Sequence, residues 1–410
     1  MAITTQADLA AALAIGGDVV CDPTVTIELT DTMTVAQSGT RVLGGTFTRT
    51  TGPAFLVTAS NVELSGLNIV GGNTGIYDDS QKLVYVLGVD GAPLSDIDIH
   101  DCHVTNTAAH GIWLEWCSNS RVHSNVVEHC LYSGVMIISG DGIVIADNVI
   151  SDVVIAPGQA NCYGIALTDS ENSLAARTQR CIVSGNRVSL VDWEGIDTHG
   201  GDGLVITGNA VSATRRCIAV ITGNDTRVAA PTHCVVNGNV VDGTGARVVP
   251  DIGIFLSGFS GAPASAVITG NQIVGYDSAQ PISTNFWQRV DTMVANNSRP
   301  HVPWTGVTLT NGWTASSSFP PQFTVDGNTV SFRGGVVPPA GGISAHPVIG
   351  SLVNPASWPA ARTFYATTHG SNGASGIGVL NVDTDGTLRI DYGSTTDAFT
   401  YWLTGMYSAI

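Results

Sequence analysis

The stretch "ITGNAV", residues 206–211, decides the fold because its pattern returns along the middle of the chain. From about residue 95 to 298, an aliphatic residue is followed three positions later by asparagine. A second aliphatic residue comes two positions after the asparagine in all but the last copy. The other copies are "VHSNVV" (122–127), "IADNVI" (145–150), "VSGNRV" (183–188), "VNGNVV" (236–241), "ITGNQI" (268–273) and, fading, "VANN" (294–297). Successive asparagines lie 23, 38, 23, 30, 32 and 26 residues apart, so a basic coil of about 23 residues carries insertions. This repetition predicts a β-solenoid whose turn asparagines hydrogen-bond to their copies in adjacent coils.

Each coil also contains a second strand with a constant start. The starting residues are Gly111, Gly134, Gly164, Gly195, Cys217 and Gly253. Positions one and three residues later are aliphatic in nearly every coil, as in Ile165 and Leu167. Residues two apart in a strand share a face. We therefore expect these positions to point into the solenoid and the residues between them to point outward.

These repeats resemble those of right-handed parallel β-helix proteins of the pectate-lyase-like superfamily, over roughly residues 36–298. The opening "TTQADLAAALAIGGDVV" (4–20) is similar to the start of such proteins, a short helix capped by Thr4 or Thr5 and followed by the first coil. We expect residues 1–35 to form this helix and cap, and residues 36–298 to form the β-helix. The fold alone gives no function, since such helices occur in lyases, hydrolases, adhesins and viral spikes.

The composition changes after "SRPHVPW" (298–304), where the asparagine phrase stops. "FTVDGNTVSF" (323–332) and "LNVDTDGTLRI" (380–390) alternate about Asp-Gly turns, which is typical of antiparallel hairpins. We expect residues 299–304 to form a linker and residues 305–410 to form a β-sandwich-like head. The chain is therefore predicted to be all-β.

The head sequence, with "LTNGWT" (309–314) and the closing "FTYWLTGMYSAI" (399–410), is similar to the carboxy-terminal heads of tail fibres and receptor-binding proteins of phages that infect Gram-positive bacteria. A β-helix that ends in such a head resembles a tail spike or minor tail protein. The resemblance implies a homotrimer in the virion tail, with other tail proteins and a host cell-surface glycan as partners. It implies a head that serves receptor binding or trimerisation. We expect no separate virion-anchoring domain before the helix.

Charge and cysteine content exclude several classes. The formal net charge of −17 disfavours nucleic acid and anionic membrane surfaces as partners. The eight cysteines form no CxxC pair and are interpreted as reduced core thiols. We expect no cofactor. The start shows no basic segment followed by an apolar one, and no apolar run is long enough for a membrane span, so we expect synthesis in the host cytoplasm.

One stretch, "VDWEGIDTHGG" (191–201), concentrates acids and a histidine in a chain that is only 12% charged. In the second-strand register, Asp197 and His199 point outward, and no other coil pairs an acid with a histidine there. Thr198 is the one polar residue in its inward column.

The residues directly before each strand start form another column. In coil order they are His110, Ser133, Tyr163, Glu194, Arg216 and Ile252. Coils lie about 4.8 Å apart, so Tyr163 and Arg216 should flank Glu194. Paired carboxyl groups are what glycoside hydrolysis needs, and histidine can act as a base or a sugar ligand. We therefore take Glu194, Asp197 and His199 as candidate catalytic residues; passive glycan binding and a structural role remain open alternatives.

Other residues on this wall are candidates for substrate binding. Arg216 and Tyr163 flank the site, and Asp169, Glu115 and Trp113 would lengthen a sugar groove. We expect no metal: strand alternation separates the side chains of "HDCH" (100–103), and "DTDGT" (383–387) is interpreted as a hairpin turn. The outward column also holds apolar residues that need a cover, which favours a trimer contact along part of the wall. They are Trp113, Met136, Ile138, Ile221 and Phe255.

Three functions fit these patterns. The first is a phage tail spike that recognises a surface polysaccharide of a Gram-positive host and acts on it as a glycoside hydrolase. The second is an adhesive or structural tail component without enzyme activity. A cellular polysaccharide lyase is disfavoured, because the start shows no signal peptide and few basic residues are present to neutralise a uronate substrate.

Overall fold

The fold is seen in a computed structural model, which divides into two compact units, residues 1–300 and 301–410. In the first unit it describes residues 2–169, 177–222, 229–258, 264–276, 280–284 and 292–297. In the second it describes residues 305–317, 320–326, 329–333, 335–337, 339, 348–351, 362–369, 375–382, 387–391, 400–402 and 405–408. The predicted linker, 299–304, and most of the predicted turn at 383–387 lie outside these residues. No helix among them is long and apolar enough to cross a membrane.

The first unit opens with helix α1, Gln6–Ile15. Thr5 caps it, because its side-chain oxygen accepts a hydrogen bond from the Asp8 N–H at 3.2 Å. Gly16 ends it at a φ of 83°, a conformation that favours glycine. Leu9 and Leu13 are buried against the first coil. The predicted helix is confirmed, and of the two predicted caps, Thr4 and Thr5, the structure has Thr5.

Short strands follow the helix to the end of the unit. In chain order they are β1 (Asp18–Val20), β2 (Thr26–Glu28), β3 (Met33–Val35), β4 (Arg41–Leu43), β5 (Thr46–Thr48), β6 (Phe55–Val57), β7 (Val62–Ser65), β8 (Asn68–Val70), β9 (Lys82–Leu87), β10 (Leu94–Ser95), β11 (Ile97–His100), β12 (His103–Thr107), β13 (His110–Glu115), β14 (Cys117–Ser118), β15 (Arg121–His123), β16 (Val126–Cys130), β17 (Ser133–Ile138), β18 (Val144–Ala146), β19 (Val149–Val153), β20 (Tyr163–Thr168), β21 (Ile182–Ser184), β22 (Arg187–His199), β23 (Val205–Thr207), β24 (Ala210–Ile221), β25 (Cys234–Asn237), β26 (Val240–Asp242), β27 (Ile252–Ser257), β28 (Ala266–Thr269), β29 (Gln272–Val274), β30 (Gln280–Thr284) and β31 (Met293–Ala295).

All of these strands except β10 and β14, which pair with each other, stack into three parallel ladders, one strand of each ladder per coil. The first ladder is β1-β4-β7-β11-β15-β18-β21-β23-β25-β28-β31. The second is β2-β5-β8-β12-β16-β19-β22-β24-β26-β29. The third is β3-β6-β9-β13-β17-β20-β22-β24-β27-β30. The predicted parallel β-helix is confirmed. β22 and β24 are long enough to run through both the second and the third ladder.

The core fills the inside of the coils. The aliphatic positions one and three residues after each strand start, such as Ile165 and Leu167, are completely buried. All eight cysteines are buried free thiols. The predicted inward register is therefore confirmed, and it fixes the intervening residues of the third ladder on the outer face.

The repeated asparagines form a buried ladder of side-chain amides. In Asn148, both the backbone N–H and the side-chain Nδ2 donate to Oδ1 of Asn186, at 3.0 and 2.9 Å. Nδ2 of Asn186 donates to the Ile145 carbonyl at 2.9 Å and to Oδ1 of Asn209. The same pattern runs from Asn125 to Asn297. Each amide thus satisfies backbone groups that the tight turn would otherwise leave without partners.

The second unit consists of antiparallel strands. They are β32 (Thr305–Gly306), β33 (Thr308–Leu309), β34 (Thr314–Ala315), β35 (Gln322–Asp326), β36 (Thr329–Arg333), β37 (Gly335–Val337), β38 (Val348–Ser351), β39 (Arg362–His369), β40 (Ser375–Val382), β41 (Thr387–Asp391), β42 (Thr400–Trp402) and β43 (Gly405–Ser408). One sheet has the order β32-β35-β36-β43, and the other β33-β38-β41-β40-β39-β42-β37-β34. The predicted hairpins β35–β36 and β40–β41 are present, so the antiparallel, sandwich-like head is confirmed.

The contribution of the asparagine ladder to the free energy of unfolding can be measured by substitution. We expect Asn186→Ala to lower the unfolding free energy by about 2 to 4 kcal/mol, because it leaves the Asn148 donors unsatisfied in the interior. The matched control is Asn237→Ala, which changes an exposed asparagine of the same phrase and should cost less than about 0.5 kcal/mol. Urea unfolding measures both; equal losses would contradict a structural role for the ladder.

A second test concerns the polar residue in the inward column. Thr198 lies between Leu167 and Val220, is completely buried, and its Oγ1 has no hydrogen-bond partner in the described part of the chain. We expect Thr198→Val to raise the unfolding free energy by about 1 kcal/mol, since valine keeps the shape and removes an unsatisfied hydroxyl.

Thr107→Val is the control for that substitution. The Thr107 hydroxyl donates to a backbone carbonyl and accepts from the Ala109 N–H, so its removal should destabilise the protein. Thermal unfolding midpoints that fall for both variants would contradict the assignment of Thr198 as unsatisfied.

Candidate functional site

The strand β22 brings Glu194, Asp197 and His199 together on the outer face of the third ladder. Glu194 pairs in register with Tyr163 on one side and Arg216 on the other. One donor atom from each of the three residues lies within 4.8 Å of the other two. The pairing of β22 with β24 shifts register between Val191 and Glu194, immediately before the site.

Asp197 belongs to the outward column of the third ladder. Its register neighbours are Ala166 and Ala219, so small side chains flank it. One coil further along the column on either side lie the larger Met136 and Phe255. The Asp197 side chain is completely buried, and neither oxygen has a hydrogen-bond partner among the described residues. Burial raises the pKa of Asp197 to about 8, against the opposing effects of the Glu194 carboxyl and Arg216.

Glu194 is equally buried but has a cationic partner. Its Oε1 lies 3.2 Å from Nη1 of Arg216. Burial raises the pKa of Glu194 to about 8, the nearby Asp197 charge adds to this, and His199 and Arg216 oppose it. Two adjacent buried carboxyl groups with raised pKa values cannot both ionise readily, so the pair retains a proton at neutral pH.

His199 is the member of the group that solvent reaches. Its side chain is 25% exposed, and Nδ1 lies 3.6 Å from Oδ2 of Asp197. The ring meets Tyr163 edge to face, with 6.1 Å between ring centroids. Burial lowers the pKa of His199, against the charges of Glu194 and Asp169, so the imidazole is mainly neutral at pH 7 and able to accept a proton.

The residues around Arg216 were missed by the sequence analysis. Asp251 accepts hydrogen bonds from both Arg215 and Arg216, at 2.9 and 3.1 Å. The two guanidinium groups lie over the Trp193 ring, 4.1 and 5.0 Å from its centroid. Trp193 and Arg215 directly precede the predicted site residues Glu194 and Arg216, and this adjacency could have identified them. Asp251 lies in an insertion before β27, and no sequence pattern pointed to it.

The remaining predicted residues differ in their distance from His199. Asp169 is buried, accepts the Thr178 N–H at 2.9 Å, and lies close enough to His199 for its charge to act on the pKa of that histidine. Glu115 and Trp113 lie on the same outer face but three coils away, about 14 Å by coil spacing. Asp192, the third acid of the quoted stretch, binds the backbone N–H of Ile155 and pairs with Arg247 at 2.9 Å, which is a structural role.

The expectation that the apolar column needs a partner subunit to cover it is wrong for Met136. Met136 is 4% exposed and packs with Tyr163 and Ala166 inside the same chain. The rings of Trp113 and Trp193 pack against this cluster. Ile221 and Phe255 remain half-buried.

The sequence analysis predicted no metal ion, and two features of the site geometry are relevant to that prediction. Among the described residues, the group Glu194, Asp197 and His199 is the one cluster whose donor atoms lie close enough to hold an ion. Arg216, however, places a fixed positive charge on Glu194, which disfavours a second cation beside it. The histidines of "HDCH" pair separately, His100 with Asp101 and His103 with Glu128.

Comparisons with known proteins agree with this architecture. A family model described as "Right handed beta helix region" matches residues 30–179 and 95–298. The fold is similar to the Dettilon tailspike protein, with 15% identity, a TM-score of 0.50, and coverage of 98% of this chain and 89% of that one. The expected likeness to tailspikes is therefore confirmed for the fold. No curated protein sequence matches the chain.

Two further solved structures match with lower scores. The enzymatically active domain of bacteriophage CBA120 tailspike protein 2 has 12% identity and a TM-score of 0.44, with coverage of 97% of this chain and 67% of that one. The receptor-binding head domain of lactococcal phage bIL170 has 14% identity and a TM-score of 0.22, with coverage of 26% and 98%.

The buried carboxyl pair makes stability depend on pH. In the unfolded chain both carboxyls titrate near pH 4, whereas in the folded chain their pKa values are about 8. Folding therefore takes up protons between these values, and the pair's contribution to the unfolding free energy should decrease as the pH rises from about 5 to about 8. In Asp197→Asn this decrease should be much smaller, as urea unfolding at a series of pH values would show.

The control is Asp90→Asn, which changes an exposed loop carboxylate and should keep the pH dependence of the parent. If Asp197→Asn and the parent lose stability equally between these pH values, Asp197 does not carry a raised pKa.

Proposed function

The chain belongs to the right-handed β-helix family, and on that premise we propose that it is a phage tail spike that binds a host cell-surface polysaccharide and hydrolyses it at Glu194, Asp197 and His199. The observation that carries the proposal is a partly exposed histidine beside two buried carboxyl groups, with one donor atom of each residue within 4.8 Å of the other two. The tailspike fold shared with the Dettilon protein over nearly the whole chain supports the biological setting. The virion tail is then its location, and a Gram-positive bacterium the host.

The solvent exposure of each of the three residues determines its role in the proposed reaction. His199 reaches the substrate and accepts the proton of an attacking water. Asp197 lies beside Nδ1, where it orients the imidazole. Glu194, adjacent to Asp197 and bound to Arg216, completes a buried acid pair that sets the charge beside His199, and the proton that His199 takes from water passes to the leaving oxygen. Hydrolysis consumes one water for each glycosidic bond broken.

The spacing of the carboxyls also limits the mechanism. Inverting glycosidases separate their two carboxyl groups by about 6.5 to 9.5 Å to leave room for water. One oxygen of Glu194 and one of Asp197 lie within 4.8 Å of each other, which is below this range, and both side chains are buried. The attacking water must therefore bind on the solvent side of the pair, next to His199.

Activity measurements test the role of His199. We expect His199→Gln to lower the rate of polysaccharide cleavage at least about a hundredfold with the fold retained, because general base catalysis contributes at least this much. Asp197→Asn should act in the same direction. His103→Gln, which changes an exposed histidine on the second ladder, is the control and should keep the parent rate.

The assay is incubation with host wall polysaccharide, followed by sizing and mass analysis of the fragments. Fragments with one added water per cleavage support hydrolysis, and fragments with an unsaturated end would overturn it in favour of elimination. If the parent protein binds the polysaccharide without shortening it, the adhesive alternative holds.

The tail-spike proposal includes assembly as a homotrimer, with other tail proteins as partners and residues 305–410 serving receptor binding or trimer closure. The half-buried Ile221 and Phe255 on the outer face leave apolar surface for such a contact. Light scattering coupled to size exclusion should give three times the chain mass of 42.4 kDa. A mass of one chain at micromolar concentration would rule the trimer out.

A further inference from the structure

A second polar cluster lies on the outer face, away from His199. Tyr85 and Trp113 are register neighbours on β9 and β13, and their rings meet edge to face with 6.4 Å between centroids. Both side chains are half-buried. Lys82 lies over the Trp113 ring, 4.5 Å from its centroid, and is held by Asp79 at 2.9 Å. The two aromatic rings are therefore fixed in place and partly open to solvent.

Glu115 is fixed by these aromatic residues. The Tyr85 hydroxyl donates to Oε2 of Glu115 at 3.0 Å, and Nε1 of Trp113 donates to the same oxygen at 3.3 Å. In the described part of the chain no side chain or backbone group donates to Oε1. A half-buried carboxylate is thus held rigidly by one oxygen while the other is left to accept from a ligand.

The cluster is aligned with the site at His199. The outer-face register runs from Trp113 through Met136 and Ala166 to Asp197, one coil per step. Glu115 occupies the column that His199 continues. The other members of that column are Leu87, Ile138, Thr168, Ile221 and Ser257. Glu115 and His199 are its two ionisable members, about 14 Å apart by coil spacing.

We propose that Tyr85, Trp113 and Glu115 form a remote sugar-binding subsite for the polysaccharide that is cleaved at His199. An aromatic ring packs against the C–H face of a sugar, and a fixed carboxylate oxygen accepts hydrogen bonds from its hydroxyls. The glycan then runs along the helix axis, and several monosaccharide units separate the subsite from the cleaved bond. The negative charge of Glu115 repels acidic sugars, so the unit bound here is neutral or carries an amino group.

The inference rests on the proposed function. The dependence of affinity on oligosaccharide length distinguishes a failure of the subsite from a failure of the proposed function. Only an oligosaccharide that spans both places gains binding from the subsite, whereas a short one bound at His199 does not. The probes are oligosaccharides from partial acid hydrolysis of host wall polysaccharide, fractionated by length and charge. Affinity is measured by calorimetry in a His199→Gln background, which prevents cleavage.

We expect affinity to rise stepwise once the oligosaccharide spans the two places, and Glu115→Gln and Tyr85→Phe to lower that affinity about tenfold while short oligosaccharides bind as before. Glu128→Gln is the control, since Glu128 pairs with His103 on another ladder. Glutamine keeps an oxygen for Tyr85 and Trp113, so the fold should survive.

The outcomes are distinguishable. A length step that depends on Glu115 supports the subsite even if the parent protein cleaves nothing, which would overturn only the catalytic part of the proposed function. Cleavage without a length step, or equal losses for short and long oligosaccharides, overturns the subsite alone. Tighter binding of acidic than neutral fractions at the distal end overturns the assigned sugar class, and no binding of any fraction overturns both.

Discussion

The structure depends on the constant register in which successive coils pair. Parallel backbone hydrogen bonds join each strand to its copies in the coils on either side, and the buried asparagine ladder fixes the same turn in each coil from Asn125 to Asn297. Because strand side chains alternate, this register sends every Ile165-like residue inward. It therefore also decides that Asp197 and His199 face outward, whereas the position of Glu194 depends on the register shift between Val191 and Glu194. A shift of one residue would bury the histidine in the core and expose the aliphatic column.

At the site, the same register buries a carboxyl group where the neighbouring coils have uncharged side chains. Placing Asp197 between two alanines buries a carboxyl group without a hydrogen-bond donor of its own, which is costly unless a proton or a counter-charge compensates. Arg216 compensates Glu194, and the proton retained by the pair compensates Asp197. Buried groups with pKa values near neutrality are common where proton transfer is the task. The stable aliphatic core of the neighbouring coils holds this arrangement in place.

The sequence predicted the parts that follow from periodicity. The coils, the inward column, the asparagine ladder and the outward direction of Asp197 and His199 all come from spacing alone. It could not predict that Asp197 would be fully buried, because that depends on the alanines and aromatic residues of adjacent coils acting together. Asp251 and Arg247 lie in insertions whose paths no repeat determines.

The central claim is that the outer face at His199 is where the polysaccharide is bound and cut. The most direct measurement is a crystal structure of the His199→Gln variant with a long oligosaccharide prepared from host wall polysaccharide. We expect the glycan to lie along the third ladder, with one glycosidic linkage within hydrogen-bonding distance of position 199 and Asp197 beneath it. A glycan bound only to residues 305–410, or on another ladder of the β-helix, would contradict the claim.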